Sequence, residues 1–426
     1  MKSPMSKWLS LGALAMALAS PFSSAVADTK SVAATAIVEH PALDSVRDGV
    51  RAALEEAGYT VGDNLKWQYQ TAQGNTATAG QIARKFVGDK PDVIVAIATP
   101  SAQAVVASTK SIPVVFAAVT DPLAAQLVSS WEASGTNVTG VSDELELDRQ
   151  MELVKQVVPN ATRVGMVYNP GEANSVVVVE RLRELLPTMG MTLVEAAAPR
   201  TVDVGAAARS LVGKVDVIYT STDNNVVSAY ESLVKVGNDT KTPLVASDTD
   251  SVKRGAIAAL GIDYYQHGVQ AGKVAVRVLQ GEAPGSIAPQ KSGELSLYLN
   301  RSAAAAQGVT LSQELIDAEA TAVIGAGPWQ RTAERTAQRN GSRPRTLTTT
   351  AGDLDLRIPK LRTGSFFPSL LERRRRVDQA LFAVVMEAYL HGVSTRKVDD
   401  LVKALGADTG VSKSEVSRIC AGLDEE

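Results

Sequence analysis

GDKPDVIVAIATPSAQ, residues 88–103, holds an apolar run, Asp92 to Ile97, that breaks abruptly into small and polar residues, ATPSAQ at 98 to 103. A short β-branched run of that kind suits a strand buried on both faces, and the amphipathic stretch ahead of it, Thr76 to Val87, suits a helix. The same rhythm continues in both directions. Strands are predicted at Val32 to Val38, Val114 to Ala117, Arg163 to Tyr168, Val215 to Tyr219, Leu244 to Ala246 and Ile257 to Leu260. Helices are predicted at Leu43 to Ala57, Glu146 to Val157, Ser175 to Leu186 and Val226 to Asn238, with Gly58, Gly190 and Gly281 as C-terminal caps. Alternation of this sort is the mark of an α/β protein with a mostly parallel sheet under helices.

In such sheets a ligand binds beyond the carboxyl ends of the strands, where helices begin with unpaired amides. The loops there are polar and small: EHPALD after the first strand, AVTDP at 118 to 122, YNPGEANS at 168 to 175, TSTDNN at 220 to 225 and SDTDS at 247 to 251. Each residue also reads as an ordinary helix cap or turn former. As a set, hydroxyls at helix starts suit a carboxylate and nearby acids suit an ammonium, so the expected ligand is small and amphoteric. A hydrolytic enzyme is the competing class. It would need a nucleophile paired with a base, and the loops offer His40 alone as base, with no G-x-S-x-G elbow and no phosphate loop.

These loops resemble the ABC transporter substrate-binding family whose better-known members take up tryptophan or tyrosine, within the type I periplasmic-binding superfamily. The resemblance runs from about residue 34 to 324. It is carried by VEHPALD (38–44), GDKPDVIVAIATPSAQ (88–103), VTDP (119–122), NVTGVSD (137–143), RVGMVYNPGEANS (163–175), LVGKVDVIYTSTDN (211–224) and ASDTDSVKRGAIAALGIDYYQHG (246–268). It implies two lobes, each a doubly wound parallel sheet, joined by a three-strand hinge. Lobe 1 would span 28–141 plus about 262–283, and lobe 2 would span 142–261 plus about 284–324.

The resemblance also implies a monomeric receptor that closes on one solute and is then recognised by a membrane permease, with no chemistry and no cofactor. Its contacts would fall on Thr99, Ser101, Thr120 and Asp121, which would receive a ligand carboxylate, with Glu39 and His40 edging the cleft. Asn169, Glu172, Asn174, Asp223, Asn224 and Asp248 would close from lobe 2, Asp248 foremost for the ammonium. Tyr264 and Tyr265 fall at an expected hinge crossing, to stack on an aromatic ligand or pack in the core.

The chain has 426 residues, which suggests two or three domains, and 45% hydrophobic against 4% aromatic residues, so Ala, Val and Leu must fill the core. Residues 1–27 hold Lys2 and Lys7, an apolar run from Leu9 to Ala19 and Ala25-Val26-Ala27. They read as a secretory signal peptide, too short for a membrane span. No cysteine follows it, so a free periplasmic form is expected rather than a lipid-anchored one. The single cysteine, Cys420, excludes an internal disulfide, and His40, His267 and His391 lack ligand spacing, so no metal is expected.

The net charge of −3 hides an asymmetry: residues 1–324 carry 26 basic against 33 acidic groups, and residues 325–426 carry 17 against 13. After Ile324 the β/α rhythm gives way to RTAERTAQRNGSRPR (331–345). This tail resembles the segment ahead of the catalytic domain in mutator-type insertion-sequence transposases. The carriers are QRNGSRPR (338–345), LRIPKLRTGSFFPSLLERRRR (356–376), EAYLHGVSTRKVDDLVKALG (387–406) and VSKSEVSRIC (411–420). Helices are expected at 377–390, 394–405 and 412–423, as a small, mostly helical segment with a helix-turn-helix. Lys413, Ser414, Ser417 and Arg418 would then face DNA, and Arg373, Arg374, Arg375 and Arg376 would meet phosphates. The family's three catalytic acids lie downstream of Glu426, so the resemblance implies no two-metal site. DNA is expected as a partner of the isolated tail only, and a DNA-binding transposase fragment carrying a passenger receptor stays open as the alternative.

Overall fold

The computed structural model describes residues 29–293, 295–312, 315 and 318, and the backbone of 339–349 and 352–361. The signal-peptide residues and the expected tail helices, with Arg373 to Arg376, Lys413, Ser414, Ser417 and Arg418, lie outside the described residues.

The first lobe is built from β1 (Lys30–Ala36), α1 (Pro41–Glu56), β2 (Leu65–Thr71), α2 (Thr76–Asp89), β3 (Val93–Ile97), α3 (Thr99–Ser108), β4 (Val114–Val119) and β5 (Val138–Ser142). The chain then enters the second lobe with α4 (Leu147–Val157), β6 (Arg163–Tyr168), α5 (Ala173–Thr188), β7 (Thr192–Ala197), α6 (Val204–Leu211) and β8 (Val217–Thr220). It continues there through α7 (Asn224–Ser228), α8 (Tyr230–Thr240), β9 (Leu244–Ala246), α9 (Thr249–Arg254) and β10 (Ala258–Gly261). Helix α10 (Tyr264–Leu279) and strand β11 (Gln290–Lys291) return to the first lobe, and β12 (Ser296–Leu299) with α11 (Arg301–Ala306) to the second.

Two six-stranded sheets result, ordered β2-β1-β3-β4-β5-β11 and β7-β6-β8-β9-β10-β12. Every pairing within them is parallel except β10 with the edge strand β12. The chain crosses between lobes at 143–146, at 262–263 and again between the end of β11 and the start of β12. The last crossing comes later than the expected boundary near 284, because β11 pairs with β5 and so completes the first sheet.

Strands β3 and β4 are buried at every position, which is why their sequences are unbroken apolar runs. The strands of the two sheets that periodicity did not single out are β2, β5, β7, β11 and β12. Strands β2 (LKWQYQT) and β7 (TLVEAA) are half-exposed edges rich in polar residues, and β5 (VTGVS) is short with a central glycine. The helix expected over 226–238 breaks at Ala229 into α7 and α8. In the tail, where only helices are predicted, β13 (Arg339–Thr349) pairs with β14 (Gly352–Leu361) in an antiparallel ladder.

The two sheets are opened by the same device. Asp92, just before β3, accepts from the backbone N–H and hydroxyl of Ser31, and Asp216, just before β8, accepts from the N–H groups of Thr162 and Arg163. The Arg163 guanidinium, 2.7 Å away, is the main cause that holds the Asp216 carboxyl well below the usual range, with those amides adding to it. The stabilisation is therefore present above the ordinary carboxylate value and is lost as pH falls through the lowered one. Asp216→Asn is expected to cost about 1–2 kcal/mol at neutral pH, and urea melts should show the gap to wild type narrowing toward pH 3.

The second lobe is closed by the residues after β12. The Gln307 side chain accepts from the Leu244 N–H and donates to Gly255 O and Asn238 Oδ1, and Leu315 is buried in the core of that lobe.

Candidate ligand-binding cleft

The backbone bends sharply at the carboxyl ends of β3 and β4. Ala98 and Ala118 sit there at φ 72° and 52°, a left-handed conformation that costs a non-glycine residue about 1 kcal/mol or more and concentrates at ligand clamps. The Ala118 N–H is held at 2.8 Å by Nε2 of buried His267. Both alanines face a cleft of about 350 Å³, counting its open mouth, to which both lobes contribute walls. Helix α3 starts at its floor with Thr99, and α1 with His40 as cap.

Of the twelve residues selected from the sequence, His40, Thr99, Thr120, Asn174, Asn224 and Asp248 line this cleft. The other six do not, each for a visible reason. Glu39 is exposed, and Ser101 is buried in the first turn of α3 without lining the cleft. The Asp121 carboxylate caps the Leu123 and Ala124 amides and pairs with Arg181, so it cannot receive a ligand carboxylate as expected. Asn169 forms a local turn with Gly171. Glu172 and Asp223 lie behind the wall.

Those two acids position the wall. Glu172 Oε2 accepts from Asn224 Nδ2 at 2.6 Å and Asn174 Nδ2 at 3.2 Å, so the amide nitrogens of both asparagines are turned away from any ligand. Asp223 caps α7 and accepts from the Ser175 hydroxyl and the Asn169 N–H. Burial pushes both carboxyls up, and Glu172 is pushed further by the Asp223 charge beside it.

Two further polar residues of the lining, Asp143 and Thr222, were not selected from the sequence, and Tyr264, expected either to stack on a ligand or to pack in the core, lines the cleft as well. Asp143 is the last residue of the quoted NVTGVSD and sits where the chain first leaves the first lobe. It accepts from the Tyr264 hydroxyl at 2.8 Å, and burial raises its carboxyl to about 6. Tyr264 is buried, whereas Tyr265 is 42% exposed and points elsewhere. Asp248, ranked first for an ammonium, lines the cleft, but both its oxygens are engaged by Ser251 as the cap of α9.

The unpaired polar atoms are the informative ones, because buried groups are normally satisfied. Thr99 Oγ1, Asp143 Oδ1 and Asn174 Oδ1 are buried, line the cleft and have no hydrogen-bond partner. His40 accepts from the Leu43 N–H through Nδ1, leaving the proton on Nε2 toward its partner Asn224 across the cleft. Burial, followed by the Arg254 charge, lowers it to about 3, so it is neutral. The lobes also touch at Thr120 and Thr222, whose hydroxyls are 3.1 Å apart.

Residues 31–324 match the family model described as ABC transporter substrate binding protein, and residues 300–426 match that of the mutator-family transposases. A tyrosine-binding protein of Clostridioides difficile is 44% identical over 271 residues, which cover 64% of this chain and 79% of the relative. An L-Trp complex of an ABC domain from Streptococcus pneumonia superposes with a TM-score of 0.66 at 31% identity, covering 68% of this chain and 98% of that one. A ligand-free, open substrate-binding protein with adhesive properties from Clostridium difficile gives 0.53 at 39% identity, covering 67% and 96%. The ligand-bound relative fits better despite lower identity, so the lobes stand nearer to its arrangement. The transposase for insertion sequence element IS1081 of Mycobacterium tuberculosis is 50% identical over 117 residues; that match covers 27% of this chain and 28% of the transposase's length.

Proposed function

Because residues 31–324 place the chain in the ABC transporter substrate-binding protein family, we propose that it is the exported, periplasmic receptor of an importer. It holds one aromatic amino acid between its lobes, without chemistry, and presents it to a membrane permease. One observation carries this reading: a single cleft offers an unpaired hydroxyl at a helix start on one side and unpaired carboxylate and amide oxygens on the other. Thr99 and the first amides of α3 suit a carboxylate, helped by the helix dipole. Asp143 and Asn174 suit an ammonium, with Asp143 carrying the charge. Ala42, Leu43, Val227 and the Tyr264 ring supply an apolar wall for a side chain. The relatives that hold tyrosine and L-Trp support the aromatic choice. The same reading assigns no catalysis to the tail, whose match covers 28% of a transposase, and leaves DNA contact to the tail alone.

Thermal melting of the full chain with single amino acids tests this. L-Tryptophan or L-tyrosine at about a hundredfold excess over Kd is expected to add about 2.7 kcal/mol, a rise of roughly 5–10 °C. Tyramine, which lacks the carboxylate, is expected to give no rise. A melting curve indifferent to every amino acid would remove the receptor reading.

A further inference from the structure

Resting on that reading, we propose that Arg181 is a positioning residue that sets ligand affinity by latching the lobes shut, without touching the ligand. Arg181 projects from α5 in the second lobe. Its Nη2 lies 2.5 Å from Asp121 Oδ2 of the first lobe, and its Nη1 lies 3.4 Å from Glu144 Oε1, in the first crossing segment. Lys291, at the end of β11 and beside the third crossing, binds the other Glu144 oxygen and lies 4.9 Å over the Trp131 ring. Charges alternate from one lobe, through the hinge, to the other.

The Asp121 side chain is 11% exposed and is fixed by two backbone amides, so one partner is already ordered before the latch closes. Neither Arg181 nor Asp121 lines the cleft. The pair therefore acts on the balance between open and closed lobes, and every ligand that needs the closed form gains by the same factor. Arg181 is 37% exposed, so salt screens the contact.

The test uses the full chain with L-tryptophan and L-tyrosine as probes, at low and high salt. Arg181→Met is expected to weaken both by one common factor, about three- to tenfold, through faster dissociation. Arg181→Lys should restore part of the loss, and adding Asp121→Asn to Arg181→Met should cost nothing more, since Asn keeps the cap and the latch is already gone. Small-angle scattering of the ligand-free chain should show a larger radius of gyration for Arg181→Met than for wild type at low salt, and no difference at high salt. Unequal losses for the two amino acids would make Arg181 a ligand contact and overturn the latch, as would unchanged affinity and unchanged scattering. If wild type binds neither amino acid, the receptor reading fails, and the scattering comparison still decides the latch.

Discussion

Asp143→Asn is expected to abolish the response to L-tryptophan and L-tyrosine while making the ligand-free chain more stable at pH 7. The carboxyl is buried at the cleft wall, and one of its oxygens has no hydrogen-bond partner, the place the proposed ammonium would take. Removing one side of a buried charge pair costs about 2–5 kcal/mol, which is a thirtyfold to several-thousandfold loss of affinity. The stability change has the opposite sign. The folded carboxyl titrates near 6 rather than near its ordinary value, so the folded state keeps a proton that the unfolded chain has released. That favourable difference is complete at low pH and disappears as pH rises through about 6, where ionisation in a dry site costs of order 3 kcal/mol. Asn removes this cost. In wild type, affinity for the amino acid should fall about tenfold from pH 7 to pH 5 as Asp143 takes up its proton, and in the variant that dependence should vanish. Titration calorimetry reads both. A variant that still binds tightly, with the pH profile intact, would take Asp143 out of the site.

Gly268→Ala is expected to destabilise the first lobe by about 2–4 kcal/mol, lowering its melting temperature by of order 10 °C. Helices α1 and α10 approach so closely that a Cβ at Gly268 would lie 2.2 Å from Val46 O and 2.8 Å from its carbonyl carbon. The contact is reciprocal, since a Cβ at Gly49 would lie 2.2 Å from Tyr265 O. The obstacle is backbone, so the helices must separate. Gly88→Ala in α2 meets nothing within 4 Å and is expected to be neutral or mildly stabilising. Equal melting of the two variants would show that the close approach contributes little.

The strands and helices that face helices or solvent in a regular way were legible from periodicity alone. The buried run Val93–Ile97 could only be a covered strand, and Arg163–Tyr168 and Leu244–Ala246 begin and end where expected. The edge strands β2 and β7 were not legible, because a half-exposed strand needs no alternation strong enough to detect. The role of Gly268 was hidden for another reason: a glycine inside a helix has no periodic signature, and only a partner helix from the far end of the lobe's sequence explains it.

The cleft was half legible. Helix-start positions such as Thr99 and His40 could be placed from the loops. Which acid remains free could not, since Asp248, Asp223 and Asp143 are all polar residues near strand ends. They differ only in whether an amide, a hydroxyl or nothing meets each oxygen. Asp121 was misassigned because its partner Arg181 comes from the other lobe.

By Leu315 the second lobe has received the last of its described core residues, and Gln307 has already tied β9, α8 and the turn before β10 together. Both six-stranded sheets hold all their described strands by Leu299, so polypeptide emerging from the ribosome after α11 would join lobes whose described sheets are already paired, a stretch where added sequence would have the least to disturb.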